Sequence, residues 1–284
     1  MTPLFAEYML NTTVTSLPKL YIMTKKIPHI LIVNDDGIFA PGIRHLYKSL
    51  QNIARLTVVA PMVEQSGVGL SITIRNPLRV HSVEWPETQG DIYSVNGTPA
   101  DCVKIALNVV LDSPPDLVVS GINRGTNAGR NLLYSGTVGG VIESVLQGIP
   151  GIAFSCREYK NTPYELVESY VPKIVEYVLN HTLPPGTLLN VNFPETAKGI
   201  KGFRMTRQGL EFWGENFDRR MHPAEEHPYY WMGAKLLQFE EHEDSDIAWL
   251  RKGYITAVPV HINELTDHTH LNARKKHFEE FLDV

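Results

Sequence analysis

Short apolar runs and longer stretches of helical spacing take turns along this chain from residue 30 onward. Ile30–Val33 (ILIV) reads as a buried strand. After two acids and a glycine, Ile43, Leu46, Tyr47, Leu50 and Ile53 fall on one helical face, with Pro41 suited to the first turn. Leu56–Pro61 (LTVVAP) is a second strand, followed by the glycine-spaced loop Glu64–Gly69 (EQSGVG). Shorter strand-like pieces come at Ser71–Ile74, Leu78–His81 and Ile92–Val95. Pro99–Leu111 then reads as a helix and Asp116–Gly121 as another buried strand. Residues 136–148 place Val138, Val141, Ile142, Val145 and Leu146 on one helical face, and Gly148–Ser155 supplies a further strand.

Pro172 interrupts the helical pattern of Tyr164–His181 and predicts a kink or a division there. Thr187–Pro194 (TLLNVNFP) closes the main alternation. Such a pattern predicts an α/β fold: a mostly parallel sheet covered by helices on both faces, in a Rossmann-like three-layer core over residues 27–201. From Gly202 the texture changes, and Gln208–Leu236 is aromatic and polar with neither period sustained. It reads as an extended arm or hairpin. Gly253–Ile262 restores a strand and Ala273–Val284 a closing helix, so 202–284 is expected to be a C-terminal arm with a late strand and terminal helix. Residues 1–26 read as an extension, with Met23 an alternative start.

At 284 residues, 43% apolar and 20% charged, the chain has the composition of an ordinary water-soluble domain. A formal charge of -5 gives no general attraction to nucleic acid or anionic membrane, so a phosphate ligand must be recognised locally. No run approaches the roughly 18 apolar residues of a membrane span. Two cysteines, Cys102 and Cys156, make no disulfide framework, and a cytoplasmic setting is expected.

In an open α/β sheet, ligands bind outside the carboxyl ends of the strands. Asp35 and Asp36 follow the first strand, Ser66 the second, and Asn123 the strand that begins at Asp116. Two carboxylates, a hydroxyl and an amide oxygen form an all-oxygen set suited to magnesium or manganese. Asp36 alone reads equally as a helix N-cap or turn residue. A second adjacent negative charge is what that reading leaves unexplained, because a helix dipole offsets only about 0.3–1 kcal/mol. Asn123–Gly140 brings amides, hydroxyls and glycines to the start of a helix, where unpaired N–H groups favour anions, and Tyr134–Thr137 (YSGT) is a candidate phosphate cradle. Ser135 or Thr137 serves as well as a simple cap. No P-loop signature occurs, and the loop at Gly67–Gly69 lacks the third glycine of a dinucleotide fingerprint, which argues against an oxidoreductase. No histidine is placed to protonate a leaving alcohol.

The segments NDDGIFAPGI (Asn34–Ile43), EQSGVG (Glu64–Gly69), NGTPADCVKIAL (Asn96–Leu107), SGINRGTNAG (Ser120–Gly129) and YSGTVGG (Tyr134–Gly140) resemble, in order and spacing, the SurE family of survival proteins. Gly253–His268 is a weaker echo, and the resemblance covers nearly everything after Lys26. It implies a metal-dependent phosphatase acting on nucleoside 5′- or 3′-monophosphates, with one divalent ion (Mg2+ or Mn2+) per subunit. Asp35, Asp36, Ser66 and Asn123 are the implied ligands, and Asn127, Ser135, Gly136 and Thr137 the implied phosphate contacts. Asp35 and Asp36 would be the catalytic acids, with either water or one aspartate as nucleophile. A homodimer or homotetramer with an exchanged C-terminal extension is implied as well. A non-catalytic nucleotide-binding or scaffold protein is the alternative that the same pocket permits.

Overall fold

Two faces of a single buried strand organise the molecule. In β1 (His29–Val33), Ile30 and Ile32 belong to one apolar cluster and Leu31 and Val33 to another, as the two-residue period of a strand requires. The structure is a computed structural model and describes residues 27–282 apart from 87, 89, 197 and 198. The expected extension at 1–26, Met23 included, lies outside the described residues.

The first face carries α1 (Pro41–Leu50), α4 (Tyr164–Glu168) and α5 (Val171–Asn180), whose Ile43, Leu46, Val167 and Val175 are buried together with Ile30 and Ile32. On the second face lie α2 (Pro99–Ile105), which buries Cys102 and Val103 against Leu31 and Val33, and α3 (Gly136–Leu146). Helix, sheet, helix makes three layers. α1 begins with Pro41 in its first turn, and Pro172 stands in the first turn of α5 after α4 has ended, so the proline divides the predicted helix as expected. Val138, Val141 and Val145 of α3 are buried, but Leu146, the last residue of that helix, is exposed.

Six strands run parallel in the order β4 (Asp91–Val95), β2 (Arg55–Pro61), β1, β5 (Leu117–Arg124), β6 (Gly151–Cys156) and β7 (Thr187–Phe193). β3 (Val80–Ser82) is added antiparallel at one edge. At the other, β11 (Ile255–His261) runs antiparallel to β7, with β8 (Phe203–Met205) beyond it. The late strand and β8 thus belong to the main sheet. Among the described residues, only the ten-residue strands β9 (Phe212–Met221) and β10 (Pro228–Leu237) leave it, as an antiparallel hairpin with several exposed aromatic side chains. α6 (Asp246–Arg251) precedes β11, and α7 (His268–Leu282) closes the described chain without a buried residue.

The strand predicted at Ser71–Ile74 is absent; those residues are irregular. Their hydrogen bonds go to the start of α2 instead of to a ladder. Thr73 donates its N–H and its hydroxyl to Asp101, at 2.9 and 2.6 Å, and the Ser71 carbonyl accepts from the Thr98 hydroxyl at 2.6 Å.

Candidate active site

Chain order reverses between β1 and β5, since β2 follows on one side of β1 while β6 and β7 extend from β5 on the other. At such a switch point the loops leaving the carboxyl ends diverge and open a crevice. Asp35 and Asp36 leave β1 there, and Asn123 lies in the last turns of β5, where its pairing with β6 shifts register between Ser120 and Asn123. Asn34 fixes the turn: its Nδ2 donates to the Gly37 carbonyl at 2.9 Å, and its Oδ1 accepts from the Gly37 N–H. Asp36 does not cap α1, whose N-cap is Ala40 without a side-chain bond.

Two segments meet on Asp35. The Gln65 N–H donates to the Asp35 carbonyl at 2.7 Å, bringing the Glu64–Gly69 loop against it. The Thr137 hydroxyl donates to Asp35 Oδ1 at 2.5 Å from the first turn of α3. Gly136 packs on the same side chain, and a Cβ there would come 2.8 Å from Asp35 Cβ and 3.0 Å from Oδ2. Ser135 is the N-cap of α3, its hydroxyl accepting from the Val138 N–H at 3.1 Å, whereas Thr137 directs its side chain away from the helix end to the acid.

Asp35 is only 4% exposed. Burial pushes its carboxyl up to about 7 against the lowering effect of the Thr137 hydroxyl, and the neighbouring Asp36 charge adds to the rise. Asp36 is also raised, chiefly by burial, although the Arg124 N–H donates to its Oδ2 at 3.2 Å and the Arg124 charge opposes the shift. Two carboxyls held above their ordinary range side by side would gain from a cation. The other two predicted ligands engage their donors elsewhere. Ser66 donates its proton to Glu64 Oε1 at 2.7 Å and Asn123 donates its amide N–H to the Gly125 carbonyl at 2.9 Å. Each of these bonds uses the donor and leaves oxygen lone pairs for another partner.

Behind the acid runs a chain of buried polar groups, of which the sequence singled out Asn127 and Thr137 but not Ser155, Asn190 or Asn192. Asn127 Nδ2 donates to Ser155 Oγ at 2.8 Å and lies 3.4 Å from Thr137 Oγ1. Asn192 Oδ1 accepts from the Asn127 N–H and the Thr126 hydroxyl, both at 2.9 Å, and Asn190 Nδ2 donates to the Asn127 carbonyl at 2.9 Å. Both asparagines stand two apart on fully buried β7, so their spacing in TLLNVNFP was the available signal.

A second clamp joins this loop to the root of the hairpin. Asp246, fully buried, accepts at Oδ2 from the Gly129 N–H (2.9 Å) and at Oδ1 from the Gly209 and Ile247 N–H groups (2.8 Å each). The Arg130 N–H donates to the Glu211 carbonyl at 3.0 Å and the Trp213 N–H to Asn131 Oδ1 at 2.9 Å.

Residues 30–215, which include every predicted site residue, match the family described as Survival protein SurE. The chain belongs to the SurE family. A relative from Protochlamydia amoebophila named 5′-nucleotidase SurE is 58% identical over 257 residues, 90% of this chain and 98% of that protein. Another of the same name from Flavobacterium psychrophilum is 41% identical over 243 residues, 85% of this chain and 94% of that protein. The crystal structure of the SurE protein from Aquifex aeolicus is similar in fold, with a TM-score of 0.76 at 39% identity, covering 88% of this chain and all of that one.

Proposed function

We propose that this SurE protein is a 5′-nucleotidase that hydrolyses the phosphate monoester of nucleoside 5′-monophosphates to nucleoside and phosphate. The observation that carries this reading is the buried Asp35 beside Asp36, aimed at the N-terminal turn of α3. That placement unites a cation-seeking acid pair with an anion-seeking helix end. Asp35, Asp36, Ser66 and Asn123 would hold one divalent ion, Mg2+ or Mn2+. When bound, the ion supplies Lewis-acid polarisation of the phosphoryl oxygens.

The chain's own residues do the rest. The first-turn N–H groups of α3 lack partners within the helix, and the hydroxyl of Ser135, an acceptor toward Val138, keeps its proton for a phosphate oxygen. We therefore assign direct phosphate contact to Ser135 and Gly136. Thr137 and Asn127 direct their hydrogen bonds to Asp35, Ser155 and each other, so they hold the acid and the loop in place. Water is the nucleophile in this scheme. We further place the protein in the cytoplasm, in keeping with two free buried thiols, as a homodimer or homotetramer assembled through the exposed hairpin.

Phosphate release from AMP in the presence of Mn2+, lost on adding EDTA, is the deciding assay. A protein that binds AMP under those conditions yet releases no phosphate is a binding module instead.

A further inference from the structure

Beyond the acid pair, the same carboxyl edge of the sheet holds a cavity of about 310 Å³, lined by Arg157, Glu195, Lys201, Leu250, Arg251 and Lys252. Arg157 follows β6, Glu195 follows β7, and Lys201 precedes β8, so the cavity is displaced from β5 toward the other end of the sheet. At ordinary strand spacing β7 stands about 10 Å from β5.

Four cations face two carboxylates here. Arg251 is paired with Glu211, which is buried. Arg157 Nε lies 3.5 Å from the exposed Glu195, a loose contact. Lys201 is exposed, and Lys252 lies over the Trp249 ring with Nζ 4.3 Å from its centroid. Two positive charges remain in excess, within a chain whose formal net charge is -5. More pointed is Arg157 Nη1, which is buried and has no hydrogen-bond partner among the described residues. Leaving that N–H unpaired carries a desolvation cost.

The structural alternative is that these side chains serve the carboxyl end of α6, where helix carbonyls attract cations. Those carbonyls are already used. The Gly253 N–H donates to Leu250 at 3.0 Å, and the Lys252 and Tyr254 N–H groups donate to Trp249 at 3.1 and 3.2 Å. The helix end therefore does not account for the cations that line the cavity.

We infer that this cavity is a second site, separate from the acid pair, for a phosphate-class oxyanion held by Arg157 with Lys201 and Lys252. Its volume is at the lower limit for small-molecule sites, which suits inorganic phosphate or the phosphoryl group of a small ester. Guanidinium is the better donor for such a group because its fork matches two oxygens at once.

Isothermal titration of the full chain carrying Asp36→Ala with inorganic phosphate tests this without depending on the acid site. One equivalent bound per chain is expected. Adding Arg157→Gln should weaken binding about tenfold or more, and Lys201→Gln several-fold, the loss for one or two charge-assisted hydrogen bonds. Circular dichroism checks folding, and if Arg157→Gln unfolds the chain, the exposed Lys201→Gln decides alone. Displacement of phosphate by AMP assigns the site to organic phosphoryl groups, and its absence to free phosphate; either supports the site. No binding in the Asp36→Ala chain, or binding indifferent to both substitutions, overturns it. Failure here leaves the AMP assay of the acid pair untouched.

Discussion

The Thr137 hydroxyl donates to Asp35 Oδ1 at 2.5 Å, joining residues 102 positions apart in sequence. This bond fixes which way the buried acid faces and lowers its pKa against the effect of burial. Thr137→Val keeps the side-chain shape and removes the donor. We expect metal affinity or AMP hydrolysis to fall about 10- to 100-fold, as when an orienting partner of a ligand is lost. Thr137→Ser should restore most of it. Steady-state rates over a Mn2+ titration separate the two contributions.

Asp36→Ala should abolish Mn2+-dependent phosphate release and the thermal stabilisation that Mn2+ gives the parent protein. Calorimetry and a melting series read the two effects independently. A variant that keeps both would remove Asp36 from the ligand set.

Acidity should act on the metal-free protein through Asp35. An unfolded aspartate titrates near 3.9, while the folded Asp35 carboxyl sits at about 7, so between these values the native state holds a proton that the unfolded chain has released. The stability due to the neutral acid is fully present below about pH 4. It is lost as pH rises through about 7. Since a cation needs the ionised form, the Mn2+-induced rise in melting temperature should grow with pH across the same window. Melting curves from pH 4 to 8, with and without Mn2+, give the test; a metal effect that shrinks toward pH 8 contradicts it.

Close packing between the Glu64–Gly69 loop and α3 makes a sharp comparison of two neighbouring glycines. A Cβ at Gly139 would lie 2.2 Å from the Gly69 carbonyl oxygen, whereas one at Gly140 would meet Val33 Cγ2 at 3.2 Å and Pro99 Cβ at 3.4 Å. Gly139→Ala should cost about 1–3 kcal/mol through overpacking. Gly140→Ala should be near neutral, helix propensity offsetting a tight contact. Urea denaturation of both variants measures the difference.

The central strands and most helices could be read from the chain because each is specified locally. Ile30–Val33 is apolar throughout, and α1 shows its buried face at helical spacing. Ser71–Ile74 misled because its alternation resembles a strand while its bonding partners, Asp101 and Thr98, lie about 27 residues away. In the candidate site, Asp35, Asp36, Ser66 and Asn123 were visible as polar residues following strands. Asn190 and Asn192 were written in the sequence as a polar pair in an apolar strand, but only the parallel pairing of β6 with β7 shows what they hold. Asp246 gave no local signal at all, since its three bonded N–H groups come from residues 129, 209 and 247.

That last carboxylate sets an order of assembly. A ribosome delivers residues 30–193, and with them the six parallel strands, well before Asp246 emerges. The six parallel strands are therefore synthesised first, and the fastener for Gly129 follows only near the end of synthesis. A chain truncated before residue 246 would lack β11 beside β7 as well as this latch, leaving the loop at Gly129–Asn131 unfastened.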